Sequence, residues 1–213
     1  MVFVPEISVL LAYSLACLVL FITPGPDMSL FLAKTLSGGR KAGIAAMAGA
    51  MLGCVVHSLL AAFGISALIA ASPSAFLALK IAGAFYLFWL AIDAVRNGSA
   101  VNVAAAERAQ MPFWRTLALG VSINLTNPKV VLFFVTFLPQ FIDAQDPHAS
   151  SKLLFLGIYF VVLTSPLALL LILGAERLLH GLQRNPRVLR VIDWVFAGVF
   201  GAFAVRILTT QAR

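Results

Sequence analysis

Two ionisable residues interrupt long apolar stretches: Asp27, in Thr23-Pro24-Gly25-Pro26-Asp27, and Lys129, in Asn127-Pro128-Lys129. A charge in hydrocarbon is expensive and by default marks a substrate or ion path with a partner. Each follows a proline. Proline inside a helix removes one backbone donor and frees the carbonyl one turn back, so Pro24 frees Leu20, Pro26 frees Ile22 and Pro128 frees Asn124. Gly25 adds conformational freedom. Each break creates half-helix ends, whose amides favour an anion and whose carbonyls favour a cation. A zwitterion such as an α-amino acid needs both; a lone cation or a small anion fits too. The candidate substrate-binding residues are Pro24, Gly25, Pro26, Asp27, Ser29, His57, Asn124, Asn127, Pro128 and Lys129, with Asp27 also the candidate proton-coupling group. A carboxylate suits a helix N-terminus, whereas a lysine there requires a compensating anion, either Asp27 itself or a substrate carboxylate. The competing reading is a permanent Asp27–Lys129 salt bridge that locks the chain's halves together. His57 ends the row Gly49-xxx-Gly53-xxx-His57, one helical face of small residues and an imidazole. It suits substrate contact, a proton relay or plain packing. Ser29, Asn124 and Asn127 suit a cavity wall or the capping of freed backbone groups.

The elements that must position these residues are membrane spans. Of 213 residues, 62% are hydrophobic and 11% charged, with mean hydropathy +1.01. A soluble domain runs near 45–50% apolar and about 25% charged. The net charge of +7 comes without the basic–aromatic interleaving of a nucleic-acid groove, so the expected surroundings are a lipid bilayer and no nucleic acid. A span needs about 20 apolar residues. The pattern predicts six: 7 to about 33 (broken at 23–27), 42 to about 71, 74–95, 113–142 (broken at 127–129), 153–174 and 188–208. No basic residue precedes the first, so a retained span rather than a cleaved leader is expected. Basic residues cluster in alternate loops: Lys34, Arg40 and Lys41; Arg96, Arg108 and Arg115; Arg177, Arg184, Arg187 and Arg190. The positive-inside rule then puts these loops in the cytoplasm and both termini outside. Trp89, Trp114 and Trp194 fall near span ends, as an aromatic belt requires. Asp93 with Arg96, and Asp193 with Arg190, read as interfacial charge pairs, and Thr164-Ser165-Pro166 as a kink repaired by hydroxyls.

The halves resemble each other. At an offset of 102 residues, Pro26, Leu30 and Phe31 fall on Pro128, Leu132 and Phe133. At an offset of 115, Ala82-Gly83-x-Phe85-x-x-Phe88 falls on Ala197-Gly198-x-Phe200-x-x-Phe203. Three spans per half force the halves into opposite orientations, an arrangement typical of transporters with sites at broken helices. The expected fold is an all-α membrane protein of six transmembrane helices in two inverted three-helix repeats, helices 1 and 4 interrupted. It forms one transporter domain over 1–213, with repeats at about 7–96 and 113–208.

The Pro24-Gly25-Pro26-Asp27 element, the Gly49-xxx-Gly53-xxx-His57 row, Asn124-x-x-Asn127-Pro128-Lys129, Phe133-Phe134 and Leu138-Pro139-Gln140-Phe141 together resemble the LysE/RhtB family of amino-acid exporters. The resemblance covers essentially the whole chain. It implies a carrier of the cytoplasmic (inner) membrane that expels amino acids or related metabolites, similar to proton-driven exporters of homoserine, threonine, lysine, leucine or cysteine. It also implies that the two proline regions line the path. The residue after the first of them is Asn or Asp in such proteins; here it is Asp27.

The expectation is therefore a secondary transporter, not an enzyme, without cofactor or bound metal. Its partners are a small-molecule substrate (an amino acid), protons and the bilayer, and a homo-oligomer is left open. Alternating access would carry substrate between helices 1 and 4, its carboxylate on Lys129 and half-helix amides, its ammonium on Asp27 and freed carbonyls. Carriage of another small solute or a cation is the alternative. A membrane thiol–disulfide relay needs cysteines at the breaks, and Cys17 and Cys54 lie away from them in sequence. A divalent-metal carrier needs clustered ligands, and His57, His148 and His180 are far apart. A scaffolding bundle accounts for neither broken helix.

Overall fold

The computed structural model describes residues 4–97, 111–143, 146–177 and 185–211; Arg108, His180 and Arg184 lie outside them. All regular elements among the described residues are helical. They are α1 (Ile7–Ile22), α2 (Pro26–Leu60), α3 (Ser66–Ala71), α4 (Pro73–Asn97), α5 (Phe113–Thr126), α6 (Pro128–Leu132), α7 (Ala149–Leu173) and α8 (Pro186–Gln211). Ala61–Ile65 and Phe133–Phe137 are π-helical, and Leu138–Phe141 is a 3-10 turn. Four runs are long and apolar enough to cross a bilayer: Pro26–Ile65, Ser74–Asn97, Ala149–Leu173 and Arg187–Val205. The pair Phe113–Thr126 and Pro128–Phe141, bent by 54°, makes a fifth if taken as one span. Large apolar side chains face outward from these helices, among them Ile7, Leu11, Phe85, Trp89, Trp114, Val162, Leu170 and Trp194. Lipid is the solvent such a surface requires.

The sequence predicts a loop between the first two spans, at 34–41. The chain instead stays helical to Gly39, which takes φ 76°, ψ 178°, and helix resumes at once. Only glycine enters this region freely. Straight, Pro26–Ile65 would span about 60 Å at 1.5 Å per residue, twice a hydrocarbon core. It is not straight: Asp27 and Cys54, near its opposite ends, both reach Asn124. The run folds back at Gly39 into two arms, and a Cβ on Gly43 would strike the Thr35 hydroxyl of the arm before it.

The second arm packs on α5 without side chains between them. A Cβ on Gly49 would meet the Leu117 carbonyl, and one on Gly120 the Ala46 carbonyl. The Gly49–Gly53 row thus serves close helix approach, as small residues do in membranes. The first arm joins α7 through Leu30, Phe31, Leu32, Ala168, Leu171 and Ile172. A larger core surrounds the end of the fifth candidate span. There Tyr13, Phe133, Phe137, Phe141, Phe160 and Phe200 stack at centroid spacings of 5.1–5.9 Å. α4 and α8 pair with each other.

Irregular backbone is satisfied locally. Pro139 cannot donate within the helix, and Thr136 Oγ1 and Gln140 Nε2 bond the Leu132 and Thr136 carbonyls at 2.7 and 2.9 Å. The expected kink with hydroxyl repair at Thr164-Ser165-Pro166 does not form: α7 runs unbroken through Pro166, and the Thr164 and Ser165 hydroxyls bond the carbonyls of Phe160 and Val161 rather than that of Val162, which the proline frees. Ahead of α7, Asp146 accepts the His148 N–H at 2.8 Å and pairs with Lys152; the lysine, then the amide, holds its carboxyl below the usual carboxylate range. Asp93 accepts from Asn97 at 2.6 Å, and Arg190 donates to the Val95 carbonyl at the end of α4 at 2.9 Å.

Candidate functional site

α1 ends at Ile22, and three residues, Thr23, Pro24 and Gly25, carry the chain to α2. Gly25 is extended, Pro26 opens α2, and the Ser29 amide closes the first turn onto the Gly25 carbonyl at 2.9 Å. At the second break a single residue, Asn127, separates α5 from α6. Asn127 Oδ1 accepts the Lys129 amide at 3.1 Å, capping α6, and its own amide takes the Asn124 carbonyl at 3.1 Å. An asparagine at a helix N-cap does this because its side-chain oxygen reaches an orphan amide.

The charged residues cross over. Lys129 Nζ donates to the Leu20 and Thr23 carbonyls of the first break, at 3.1 and 2.7 Å. Asp27 Oδ2 accepts from Asn124 Nδ2 and Asn127 Nδ2 of the second, both at 3.0 Å. Asp27 and Lys129 attract each other but form no ion pair within 4.0 Å. Thus the salt-bridge lock is absent, and the carbonyl freed at Leu20 goes to the lysine rather than standing open. The other oxygen, Asp27 Oδ1, is buried without a hydrogen-bond partner. Such an orphan is costly in a low-dielectric interior.

These groups open on one small cavity of about 50 Å³. Asp27, Asn124 and Lys129 line it together with Thr23, Cys54, Thr164 and an apolar wall of Phe21, Met28, Phe31, Met51, Val130 and Phe160. That is well below the about 300–1,000 Å³ of ligand pockets, so in this conformation the site is closed around less than a whole amino acid. Ser29, Asn127 and the three prolines Pro24, Pro26 and Pro128 stand behind this lining, as does Gly25, which lies against the Lys129 side chain. His57 also lies outside it. It is buried, stacks on Phe134 at 5.5 Å, and brings Nε2 within 3.5 Å of the Asn124 carbonyl.

The cysteines require a correction. Cys54 is remote from the breaks in sequence, yet Asn124 Nδ2 lies 3.5 Å from its sulfur, and it forms part of the cavity wall. Gly53 is the reason: a Cβ there would stand 2.9 Å from Asn124 Cβ and Cγ, so α5 comes close enough to touch the next residue. Both cysteines are free. Sequence reasoning missed the contributions of Met51, Phe160 and Thr164. The Thr164 hydroxyl serves the Phe160 carbonyl and also faces the cavity. No three His, Cys, Asp or Glu side chains converge as a metal site among the described residues.

Known proteins resemble this chain over nearly its whole length. A leucine efflux protein of Salmonella typhimurium is 28% identical over 200 residues, covering 94% of this chain and 94% of the relative. An uncharacterized membrane protein of Vibrio cholerae is 31% identical over 210 residues, covering 97% of this chain and 100% of the relative. A third, from Pseudomonas aeruginosa, is 28% identical over 201 residues, covering 92% and 93%. No solved structure matches. The family model for the LysE type translocator matches residues 18–211, a stretch that holds both breaks and every residue of the cavity, and the chain belongs to that family.

Proposed function

We infer that the protein exports an α-amino acid, or a metabolite of the threonine, homoserine, homoserine-lactone, lysine or leucine kind, across the cytoplasmic membrane by alternating access with proton antiport. The observation that carries this reading is the pairing of an unsatisfied carboxylate oxygen and an ammonium on one small cavity. A lysine ammonium has three N–H groups. Leu20 and Thr23 take two from Lys129, and the third is available to a substrate carboxylate. Asp27 Oδ1 takes the substrate ammonium. The apolar wall of Phe31, Met51 and Phe160 suits an aliphatic side chain, in keeping with the leucine efflux relatives. Protonation of Asp27 from outside releases substrate and resets the carrier.

The six-span inverted repeat is part of this reading. α1 has 16 residues, about 24 Å at 1.5 Å per residue, too short for a span alone. With the first arm of α2 it makes a broken span matching α5 and α6; the second arm is the next span. Both termini then lie outside.

The test is counterflow in proteoliposomes. Unlabelled amino acids and related metabolites are preloaded, and entry of labelled leucine, threonine, homoserine and lysine is followed with and without a pH gradient. Accelerated exchange of one substrate supports the carrier, and dependence on the gradient that disappears in Asp27→Asn supports antiport. No exchange across the panel by folded protein would sink the zwitterion reading in favour of another small solute or a cation.

A further inference from the structure

The end of α1 is a concentration of acceptors. The Leu20 and Thr23 carbonyls point away from the helix with no backbone donor, the negative end of the helix dipole lies behind them, and Asp27 Oδ1 is unpartnered in the same cavity. Gly25 keeps the approach open: a Cβ there would come 3.0 Å from Lys129 Nζ. Neutral carbonyls with a single carboxylate carry a net charge of minus one. Hard oxygens at the unwound end of a half-helix are how broken-helix carriers hold a monovalent ion. Here that place is filled by a side chain arriving from the other half of the molecule.

We propose that the end of α1 is a monovalent-cation site and that Lys129 occupies it as a tethered cation, so that without the lysine the same oxygens bind free sodium, potassium or a small alkylammonium ion. Charge balance sets the ligand class: a divalent ion would leave a buried excess of positive charge, and a neutral solute would leave the carboxylate uncompensated. The carbonyls require a hard or hydrogen-bonding cation, and the absence of a side chain at Gly25 leaves room for it. The proposal goes beyond export, since it concerns how the first break is kept neutral whatever the cargo.

The experiment is thermal unfolding of the purified full chain in detergent, at constant ionic strength, in choline, sodium, potassium, methylammonium or butylammonium chloride. Wild type and Lys129→Arg should be indifferent to the cation. Lys129→Ala should unfold earlier in choline and recover with sodium or an alkylammonium ion. The gain should be about 3–6 °C at roughly ten times the dissociation constant. Adding Asp27→Asn to Lys129→Ala should abolish the recovery. Should Lys129→Ala not survive purification, Lys129→Gln is measured the same way. A response independent of the cation in the neutral variants, or an equal response in wild type, overturns the proposal. Because the midpoint is read without cargo, failure here leaves the export reading standing, and failed counterflow leaves this site standing.

Discussion

The two breaks align in sequence, Pro26 on Pro128, and do opposite work. The first opens over Thr23, Pro24 and Gly25 and sends its main acceptors across to the second: the Leu20 and Thr23 carbonyls meet Lys129, and Asp27 Oδ2 meets Asn124 and Asn127. The second closes over Asn127 alone and caps its own helix, yet it supplies the donors, in the Asn124 and Asn127 amides and the Lys129 ammonium. One half accepts and the other donates. A symmetric pair of breaks would present like groups to like groups, with surplus acceptors at one and surplus donors at the other. The difference lets each break satisfy what the other leaves unpaired, and one carboxylate oxygen, Asp27 Oδ1, is left over.

Removing the main acceptor should break this complementarity most severely. Asp27→Ala leaves two buried amides without an acceptor and Lys129 without a counter-charge, a loss of about 3 kcal/mol for bonds to a charged group, or roughly 100-fold in exchange rate. Initial counterflow rates measure it; a variant retaining wild-type exchange would show that the crossing bonds are incidental. Gly53→Ala should come next, because its Cβ would displace Asn124 from 2.9 Å. Overpacking costs about 1–3 kcal/mol, read as a midpoint lowered by roughly 2–10 °C at this chain size. Gly198→Ala, whose Cβ would meet nothing within 4 Å, should leave the midpoint unchanged or raised. Asn127→Ser separates that residue's roles: serine keeps the cap and loses the reach to Asp27. Exchange should fall about five- to tenfold with the midpoint nearly constant; equal loss of both would mean that the cap, not the carboxylate contact, is what matters.

The smallest effect lies away from the breaks. Asp146 has a folded-state pKa below its unfolded value, so its contribution is complete above about pH 4 and disappears as pH falls through the lowered folded-state value. Wild type should therefore lose stability on acidification in that range relative to Asp146→Asn, by thermal midpoint, and exchange at neutral pH should not change.

Much of this could be read from the chain itself. Proline and glycine announce where a helix must stop, so both breaks, the paired charges and the flanking asparagines stand out in sequence. What an ammonium does after that depends on how two helices approach, which no local pattern records. The lysine was expected beside a carboxylate and lies on carbonyls. Cys54 illustrates the same limit, since 70 residues separate it from Asn124 and only the glycine row brings them together. The Gly38-Gly39 pair reads as a loop because glycine is poor in helices, whereas a single residue at φ 76° suffices to turn the chain. Two cavity residues carry no polar signature in sequence, since Met51 on α2 and Phe160 on α7 look like any lipid-facing or core residue.

The crossing of donors and acceptors also fixes an order of events during synthesis. Asp27 and the loose carbonyls at the end of α1 leave the ribosome about 100 residues before Asn124, Asn127 and Lys129 exist, which at about 5–20 residues per second is a delay of several seconds. Until then the first half holds an acidic group with nothing to receive it. The polar groups of the first break therefore find their partners only when the second half inserts. The quality of the finished carrier is decided late, by the arrival of one short segment around residue 127.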